Sequence, residues 1–192
     1  MNRKKFLTTS GLVGLALFLP KNILAMDNVP KKLYFKDDGK IPNSKYPLIL
    51  YKNAFSETGR SGASWLENRF LENNWSNSWR NGIYSFHHYH STSHEGLGVY
   101  SGSALVHLGG EDGEKIKIEA GDVIIIPAGV GHKNLGGENL GVVGAYPDGR
   151  LWDLNKGLPG ERPKADENID GLPIPDADPL LGTEDGLIKI WK

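Results

Sequence analysis

Four of the six histidines in this 192-residue chain lie within eight positions, at His87, His88, His90 and His94. Successive side chains of a β-strand point to opposite faces, so a strand here would place His88 and His90 on the same face. A short turn after His90 would bring Glu95 back towards them on a returning strand. Two imidazoles and a carboxylate are ligands for a divalent transition metal, and a further ligand is needed to complete such a site. His132 is the candidate for that ligand.

The region around these residues consists of short apolar runs separated by glycine-rich turns. The runs cover residues 83–90, 96–100, 104–108, 115–119, 123–126 and 140–145. The turns between them lie at 109–113, 120–122 and 136–138. Many short strands at this spacing, without a helical segment between them, predict an all-β antiparallel sandwich or barrel. A parallel α/β sheet is disfavoured for the same reason.

The preceding segments predict two strands and one helix. Residues 32–36 and 47–52 are short apolar runs bounded by turn residues, which is typical of strands at a barrel edge. Residues 61–74 repeat their apolar side chains at helical spacing, which predicts a short amphipathic helix. Trp75 and Trp79 follow in a polar segment that we expect to be a loop leading into the histidines.

The C-terminal part of the chain, residues 147–192, is rich in Pro, Gly and Asp. It also carries large apolar side chains, among them Trp152, Leu180, Leu187 and Trp191, and these are too many for a disordered tail. We therefore expect an arm that wraps over the barrel and ends in a strand at residues 187–191.

The composition indicates one soluble globular domain, with 39% hydrophobic and 23% charged residues. The absence of cysteine excludes disulfides, thiolate zinc sites and cysteine nucleophiles. The first 25 residues contain four basic residues and no acidic residue, so residues 26–192 contain 18 basic and 23 acidic residues. This mildly acidic balance argues against nucleic acid or an anionic membrane surface as the main partner.

The N-terminus has the pattern of an export signal over residues 1–25. A basic start is followed by an apolar run at 11–19 and by a small residue, Ala25, at the expected cleavage position. Residues 3–7 resemble a twin-arginine signal in which Lys4 replaces the second arginine, but an ordinary secretory signal is favoured. An uncleaved membrane anchor is the alternative, although the apolar run is short for a bilayer. The predicted location is periplasmic or extracellular.

The spacing of the glycines and candidate ligands resembles the two motifs of the cupin superfamily. The residues that match the first motif at the family's spacing are Gly82, His88, His90, Glu95 and Gly102. Those that match the second motif are Gly121, Pro127, Gly129 and His132. The family pattern then has Asn where this chain has Gly136, a position that is not a metal ligand in the pattern.

A wider resemblance, to the small bacterial YjlB-like single-domain cupins, rests on residues 79–82, 86–92, 131–133, 144–147 and 152–154. It implies a cupin double-stranded β-helix, a jelly-roll-like barrel with a short N-terminal helix and extended N- and C-terminal arms. It implies one domain over residues 26–192, with a metal-site core at 80–146 and a wrapping arm at 147–192. His88, His90, Glu95 and His132 would then hold Mn, Fe, Co, Ni, Cu or Zn.

Other residues near the motifs have alternative interpretations. His94 could replace Glu95 if the turn were one residue shorter, but only Glu95 keeps the family's spacing to Gly102. His87 and Tyr89 should face away from the site, towards another sheet or an interface, and His107 should be structural. The remaining candidates, Arg80, Lys133 and Tyr146, could contact an anionic substrate, but surface or packing roles are favoured.

Three functional hypotheses follow. The first is an exported metalloenzyme of isomerase or dioxygenase type that acts on a small oxygen-rich molecule, such as a sugar derivative, a keto acid or a phenol. The second is a non-catalytic module that binds a small ligand or the metal itself. The third is a structural cupin in which the metal holds strands together. Exposed strand edges also suggest a homodimer.

Overall fold

The computed structural model describes residues 29–192, which form seven strands and three helices. In chain order these are β1 (Lys31–Leu33), β2 (Leu48–Tyr51), α1 (Gly59–Glu72), β3 (Trp75–Asn81), β4 (Glu95–Leu108), β5 (Glu114–Glu119), β6 (Val123–Ile126), β7 (His132–Pro147), α2 (Lys164–Gly171) and α3 (Leu187–Ile190). The export signal predicted for residues 1–25 lies outside the described residues. Within the described part of the chain, no helix is long and apolar enough to cross a membrane.

All seven strands belong to one antiparallel sheet with the order β1-β2-β6-β4-β7-β3, and β5 pairs with β4 beside this path. The long strand β4 contacts three others, because its first half pairs with β6 and its second half with β5, while β7 runs along its length. The predicted all-β antiparallel architecture is therefore confirmed.

The β4–β7 ladder is interrupted by irregularities, one of which lies at Gly102. The ladder register shifts on either side of Ser101, and Gly102 has a φ of +64°. A Cβ at position 102 would lie 2.1 Å from the carbonyl oxygen of Glu138 on β7. Only glycine fits there, since both the backbone conformation and the close strand approach exclude a side chain.

The concave face of the sheet buries one apolar cluster that draws residues from six of the seven strands. Members include Leu50, Leu97, Val106, Ile118, Ile124 and Val142. Because these side chains converge from β2, β4, β5, β6 and β7, with Leu33 from β1, the sheet encloses a single interior. Glu95 precedes Leu97 by two residues in β4 and therefore points into the same interior.

The convex face is covered by helix α1 and by the C-terminal segment. A second buried cluster joins Ile125 and Val143 of the sheet to Leu66 of α1 and to Leu187 and Trp191 near the C-terminus. Gly98 of β4 permits this contact, because a Cβ there would lie 2.4 Å from Leu66 Cδ2.

Hydrogen bonds hold the C-terminal segment against the sheet. The buried carboxylate of Asp178 accepts bonds from Tyr51 Oη at 2.8 Å, from the backbone nitrogen of Leu187 at 2.9 Å and from Leu180 N at 2.8 Å. The indole of Trp191 donates to the carbonyl of Pro47 at 2.9 Å. The segment is thus packed rather than free.

Several local predictions were wrong. Residues 187–190 form helix α3 instead of a strand, and the buried pair Leu187 and Trp191 has the i, i+4 spacing of one helical face. Trp75 and Trp79 lie in strand β3, whose alternation is interrupted by a register shift between Ser76 and Trp79. Most residues of this edge strand are polar and exposed, so the sequence lacks the apolar run that would have predicted a strand.

The predicted strand at residues 83–90 and the predicted turn at 136–138 were also wrong. Residues 82–90 form an irregular segment in which only His88 and Tyr89 make isolated bridges, to His132 and Asn155. The glycines at 136 and 137 lie inside β7, where Gly137 pairs with Ala104.

We predict that Gly98→Ala destabilises the protein by about 1–3 kcal/mol, because the added Cβ would overlap three side-chain atoms of the fully buried Leu66, which must shift. Urea unfolding followed by tryptophan fluorescence measures the change. Gly82→Ala is the matched control, since a Cβ at position 82 has no atom within 4 Å. Equal stability of the two variants would show that α1 does not need close contact with β4.

Candidate metal centre

The structure brings all four predicted ligands to one point in the barrel interior. The Nε2 atom of His132 lies 3.2 Å from Glu95 Oε2, and Nε2 of His90 lies 3.6 Å from Glu95 Oε1. One ligand nitrogen from each of His88, His90 and His132 lies within 4.8 Å of the other two. All four residues are buried. The fold thus brings together residues that are as far as 44 positions apart in sequence, His88 and His132.

Strand pairing places Glu95 and His132, which are the first residues of β4 and β7. Glu95 is opposite Ile126, and His132 is opposite Leu108. His88 joins them because its backbone exchanges two hydrogen bonds with His132, at 3.2 and 2.9 Å. The irregular segment therefore behaves locally as a further strand beside β7.

The side chain of His94 points away from this centre, since neighbouring residues of an extended chain face opposite sides. Its ring packs 4.9 Å from that of Trp191 on the convex face, and its Nδ1 accepts a hydrogen bond from the backbone of Ala128 at 2.9 Å. The structure thus places Glu95, and not His94, beside the three histidines.

Asp153 of the C-terminal segment holds the loop that carries His90. Its carboxylate accepts hydrogen bonds from Ser91 N at 2.6 Å, from Ser91 Oγ at 2.5 Å and from Thr92 N at 3.2 Å. Its own backbone carbonyl accepts a hydrogen bond from His90 Nδ1. Partial burial acts to raise the pKa of the Asp153 carboxyl, but these hydrogen bonds outweigh it and lower the pKa, so Asp153 accepts them as an anion.

All three histidines of the centre use Nδ1 for a backbone carbonyl. His88 Nδ1 lies 3.2 Å from Phe86 O, His132 Nδ1 lies 3.1 Å from Val130 O, and His90 bonds to Asp153 O. A carbonyl oxygen only accepts, so each Nδ1 donates its proton to that carbonyl and each ring turns Nε2 into the centre, where the neutral form of the ring offers a lone pair to a metal. Metal-binding histidines are oriented in this way.

The charges in the centre also suit a cation. Burial by itself would raise the pKa of Glu95, but the interactions with His90 and His132 outweigh it and hold this pKa well below its usual range. Burial disfavours charge on His90, yet the adjacent Glu95 raises the pKa of His90 above the ordinary histidine value. Burial and the neighbouring His132 lower the pKa of His88 to about 3, so this ring is neutral.

One buried atom of the centre, Glu95 Oε2, has no hydrogen-bond partner among the residues that the structure describes. His132 Nε2 lies 3.2 Å away, and in the neutral form of the ring with the proton on Nδ1 it is an acceptor like the carboxylate oxygen. A cation between these two lone pairs would satisfy both of them. The residues present therefore fit a divalent transition metal.

Two further side chains orient Glu95, and sequence reasoning missed their role. Trp79 Nε1 donates to Tyr146 Oη at 2.9 Å, and Tyr146 Oη donates to Glu95 Oε1 at 3.0 Å. Burial and the Glu95 charge raise the pKa of Tyr146 far above its usual range, so the hydroxyl keeps its proton. Tyr146 and Gly144 are two residues apart in β7, so they share one face of the sheet. The Trp79 ring lies against the backbone of Gly144 on that face. This spacing was the signal in the sequence that could have placed Tyr146 beside Trp79.

The centre lies at the base of a cavity of about 410 Å³. Its walls include the rings of Trp79, Tyr84 and Trp152, together with Leu97. Trp152 comes from the C-terminal segment, where its ring lies 4.9 Å from His90 and 5.9 Å from Tyr146. The volume is sufficient for a small molecule above the four candidate ligands.

The two basic residues considered as substrate contacts are already paired with acids. Arg80 at the rim of the cavity makes hydrogen bonds of 2.6 and 2.7 Å to Glu67 of α1. Lys133 lies 2.8 Å from Glu111 on the convex side of the sheet. The surface roles that we favoured for these two residues agree with their contacts, whereas Tyr146 belongs to the site.

Comparison with known proteins gives a consistent result. The model of the cupin domain family matches residues 81–140. An uncharacterized protein, YjlB of Bacillus subtilis (strain 168), is 39% identical over 168 residues, which is 86% of this chain and 99% of that protein.

Two solved structures show lower similarity. One is an acireductone dioxygenase from Bacillus anthracis with a cadmium ion in its active centre, at 14% identity and a TM-score of 0.35 over 47% of this chain and 63% of that chain. The other is the Bacillus subtilis oxalate decarboxylase with Mn(II) centres, at 18% identity and a TM-score of 0.35 over 77% of this chain and 38% of that chain. On the strength of the family match and of the 39% identity across most of both sequences, this chain belongs to the cupins and is a YjlB-like member of them.

Proposed function

We propose that this YjlB-like cupin is a metal-dependent enzyme that acts on a small oxygen-rich molecule. His88, His90, Glu95 and His132 would hold the metal. The observation that carries the proposal is that three hydrogen bonds from Nδ1 to backbone carbonyls direct three Nε2 atoms to one buried point. At this point Glu95 Oε2 has no hydrogen-bond partner among the described residues. That point lies at the base of a cavity large enough for a substrate.

The donor set of three imidazoles and one carboxylate is compatible with Mn, Fe, Co, Ni, Cu or Zn. Such a metal, when bound, supplies a Lewis acid or an oxygen-activating centre, and four protein ligands leave coordination positions for other molecules. Dioxygenase or isomerase chemistry is compatible with this arrangement.

The walls of the cavity favour a flat or ring-shaped neutral substrate. Trp79, Tyr84 and Trp152 provide aromatic surfaces on which a ring can stack. The guanidinium of Arg80 at the rim is neutralised by Glu67, so it offers little attraction to an anion. Among the substrate classes considered, a phenol or a sugar derivative therefore fits better than a keto acid.

Tyr146 and Trp79 act as positioning residues in this proposal. The hydrogen bond from Tyr146 Oη fixes Glu95 Oε1, so Oε2 is the oxygen that lies beside His132. The bond from Trp79 Nε1 orients the Tyr146 hydroxyl in turn. Trp79 also lines the cavity. The same indole would therefore contact a bound substrate and, through Tyr146, orient Glu95.

We also propose export to the periplasm or beyond, on the basis of the signal pattern in residues 1–25.

A homodimer is proposed because β1 and β3 end the strand order and present edges that a second copy could cover. The principal alternative function is a module that binds a metal or a small ligand without turnover.

The first prediction concerns metal content. Residues 26–192, purified from the native compartment without an affinity tag, should carry close to one equivalent of transition metal, and His88→Ala/His90→Ala should lose it. Elemental analysis measures both. His94→Asn is the matched control, since its amide oxygen can accept the Ala128 hydrogen bond and the metal should remain. A metal-free native protein that also takes up no added metal would contradict the proposal.

The second prediction concerns turnover. With its metal bound, the protein should consume dioxygen or isomerise substrate when assayed against neutral phenols and sugars. Trp152→Ala should raise KM about tenfold at unchanged metal content, because a ring-stacking contact of about 1.5 kcal/mol is removed. Saturable binding of such compounds without turnover would support the non-catalytic module instead.

The third prediction concerns pH. The pKa of His90 is raised above the ordinary 6.5, so below pH 6.5 its ring is mainly protonated in the metal-free protein, and a metal must displace that proton. Apparent metal affinity should therefore fall about tenfold for each pH unit below 6.5 and level off once the pH exceeds the His90 pKa. Competition with a chelator of known pH dependence measures this slope. An affinity independent of pH between 5 and 6.5 would exclude His90 as a ligand.

A further inference from the structure

A second group of side chains of the types that ligate metals lies on the opposite side of the sheet from the proposed metal centre. His87, His107 and Glu111 form this group, which we call the outer histidine cluster. His107 lies between the inward-facing Val106 and Leu108 of β4 and therefore points outward. His87 adjoins His88 in the chain but belongs to the other side.

The geometry of the outer histidine cluster is compact. The ring centroids of His87 and His107 are 4.9 Å apart at an interplanar angle of 58°, and His87 Nε2 lies 3.3 Å from Glu111 Oε1. One ligand atom from each of the three residues lies within 4.8 Å of the other two. Tetrahedral zinc with ligands at about 2.0–2.2 Å needs a slightly tighter arrangement, which rotation of the exposed Glu111 side chain can supply.

His87 is the residue of this cluster whose surroundings point to a ligand. Its side chain is only 10% exposed, yet neither ring nitrogen has a hydrogen-bond partner in the described part of the chain. Its contact with Glu111 lacks hydrogen-bond geometry despite the short distance. Buried polar nitrogens are nearly always paired with protein, water or an ion, so two unpaired ones on a single ring point to a ligand.

We propose that His87, His107 and Glu111 form a second metal site that takes a borderline divalent cation, with Zn²⁺ as the expected ion. Two imidazoles and one carboxylate are a common protein donor set for zinc. Glu111 is 74% exposed, so water has access to the remaining coordination position. The inference is independent of the function proposed for the inner centre, because no residue is shared between the two sites.

Lys133 controls the affinity of this outer site. Its ammonium lies 2.8 Å from Glu111 Oε1, the same oxygen that approaches His87. A cation bound by the cluster must therefore compete with Lys133 for this carboxylate, and it also meets the positive charge of Lys133 directly. The outer site should consequently bind zinc more weakly than the inner site, and removal of the lysine charge should strengthen it.

Zinc titration of residues 26–192 by calorimetry tests the proposal. The protein should bind two Zn²⁺ per chain, and His88→Ala/His90→Ala should retain only the weaker one. In that background, Glu111→Gln should weaken the remaining site at least tenfold, and Lys133→Gln should strengthen it about tenfold. Glu111→Gln preserves size at an exposed position, Lys133→Gln removes the charge of a side chain that is 18% exposed, and thermal unfolding without zinc tests whether each variant is folded.

Co²⁺ provides a second readout in the same variants, because its visible absorption reports nitrogen and oxygen coordination. The absorption that remains in His88→Ala/His90→Ala should disappear in the additional Glu111→Gln variant. The proposal is overturned if the native protein binds a single zinc that the double variant loses. It is equally overturned if the weaker affinity does not respond to Glu111→Gln and Lys133→Gln, since binding would then be located elsewhere.

Discussion

The structure depends on the interactions that offset the cost of burying one carboxylate, that of Glu95. Glu95 is 3% exposed and shares the concave face with Leu97 and other apolar residues. Burial of an isolated carboxylate would cost several kcal/mol, so the fold must supply partners for both of its oxygens. Tyr146 donates to Oε1, while Oε2 lies 3.2 Å from His132 Nε2 and has no hydrogen-bond partner among the described residues. The cation that we propose for the three histidines would compensate this second oxygen.

The C-terminal segment is part of the site as well as of the core. Asp153 fixes the loop of His90 through its carboxylate and orients the His90 ring through its carbonyl, and Trp152 forms one wall of the cavity. Further along, Asp178 and Trp191 attach the same segment to β2 and to Pro47 beside it. The geometry of the candidate metal centre is therefore coupled to the docking of residues that lie more than 50 positions beyond His90 in the chain.

Strand β4 separates two environments of different chemistry. Its concave side carries Glu95 and the apolar interior, whereas its convex side carries His107 near β7 and packs against α1 at Gly98. The same alternation separates His87 from His88 and His94 from Glu95. Residues adjacent in sequence consequently belong to different sites, and a shift of one residue in register would exchange them.

The sequence by itself determined the antiparallel all-β class, the helix at α1 and the identity of the four residues that meet in the interior. Glycine-bounded apolar runs and motif spacing are local properties of the chain, and they remain visible without a structure. Tertiary structure decided the form of residues 83–90, which are held by a backbone bridge to His132 rather than by a regular strand, and the helical form of residues 187–190. It also decided the roles of Tyr146, Trp79 and Asp153. Each of these roles depends on a hydrogen bond to a residue more than 50 positions away, and no local pattern encodes such a partner.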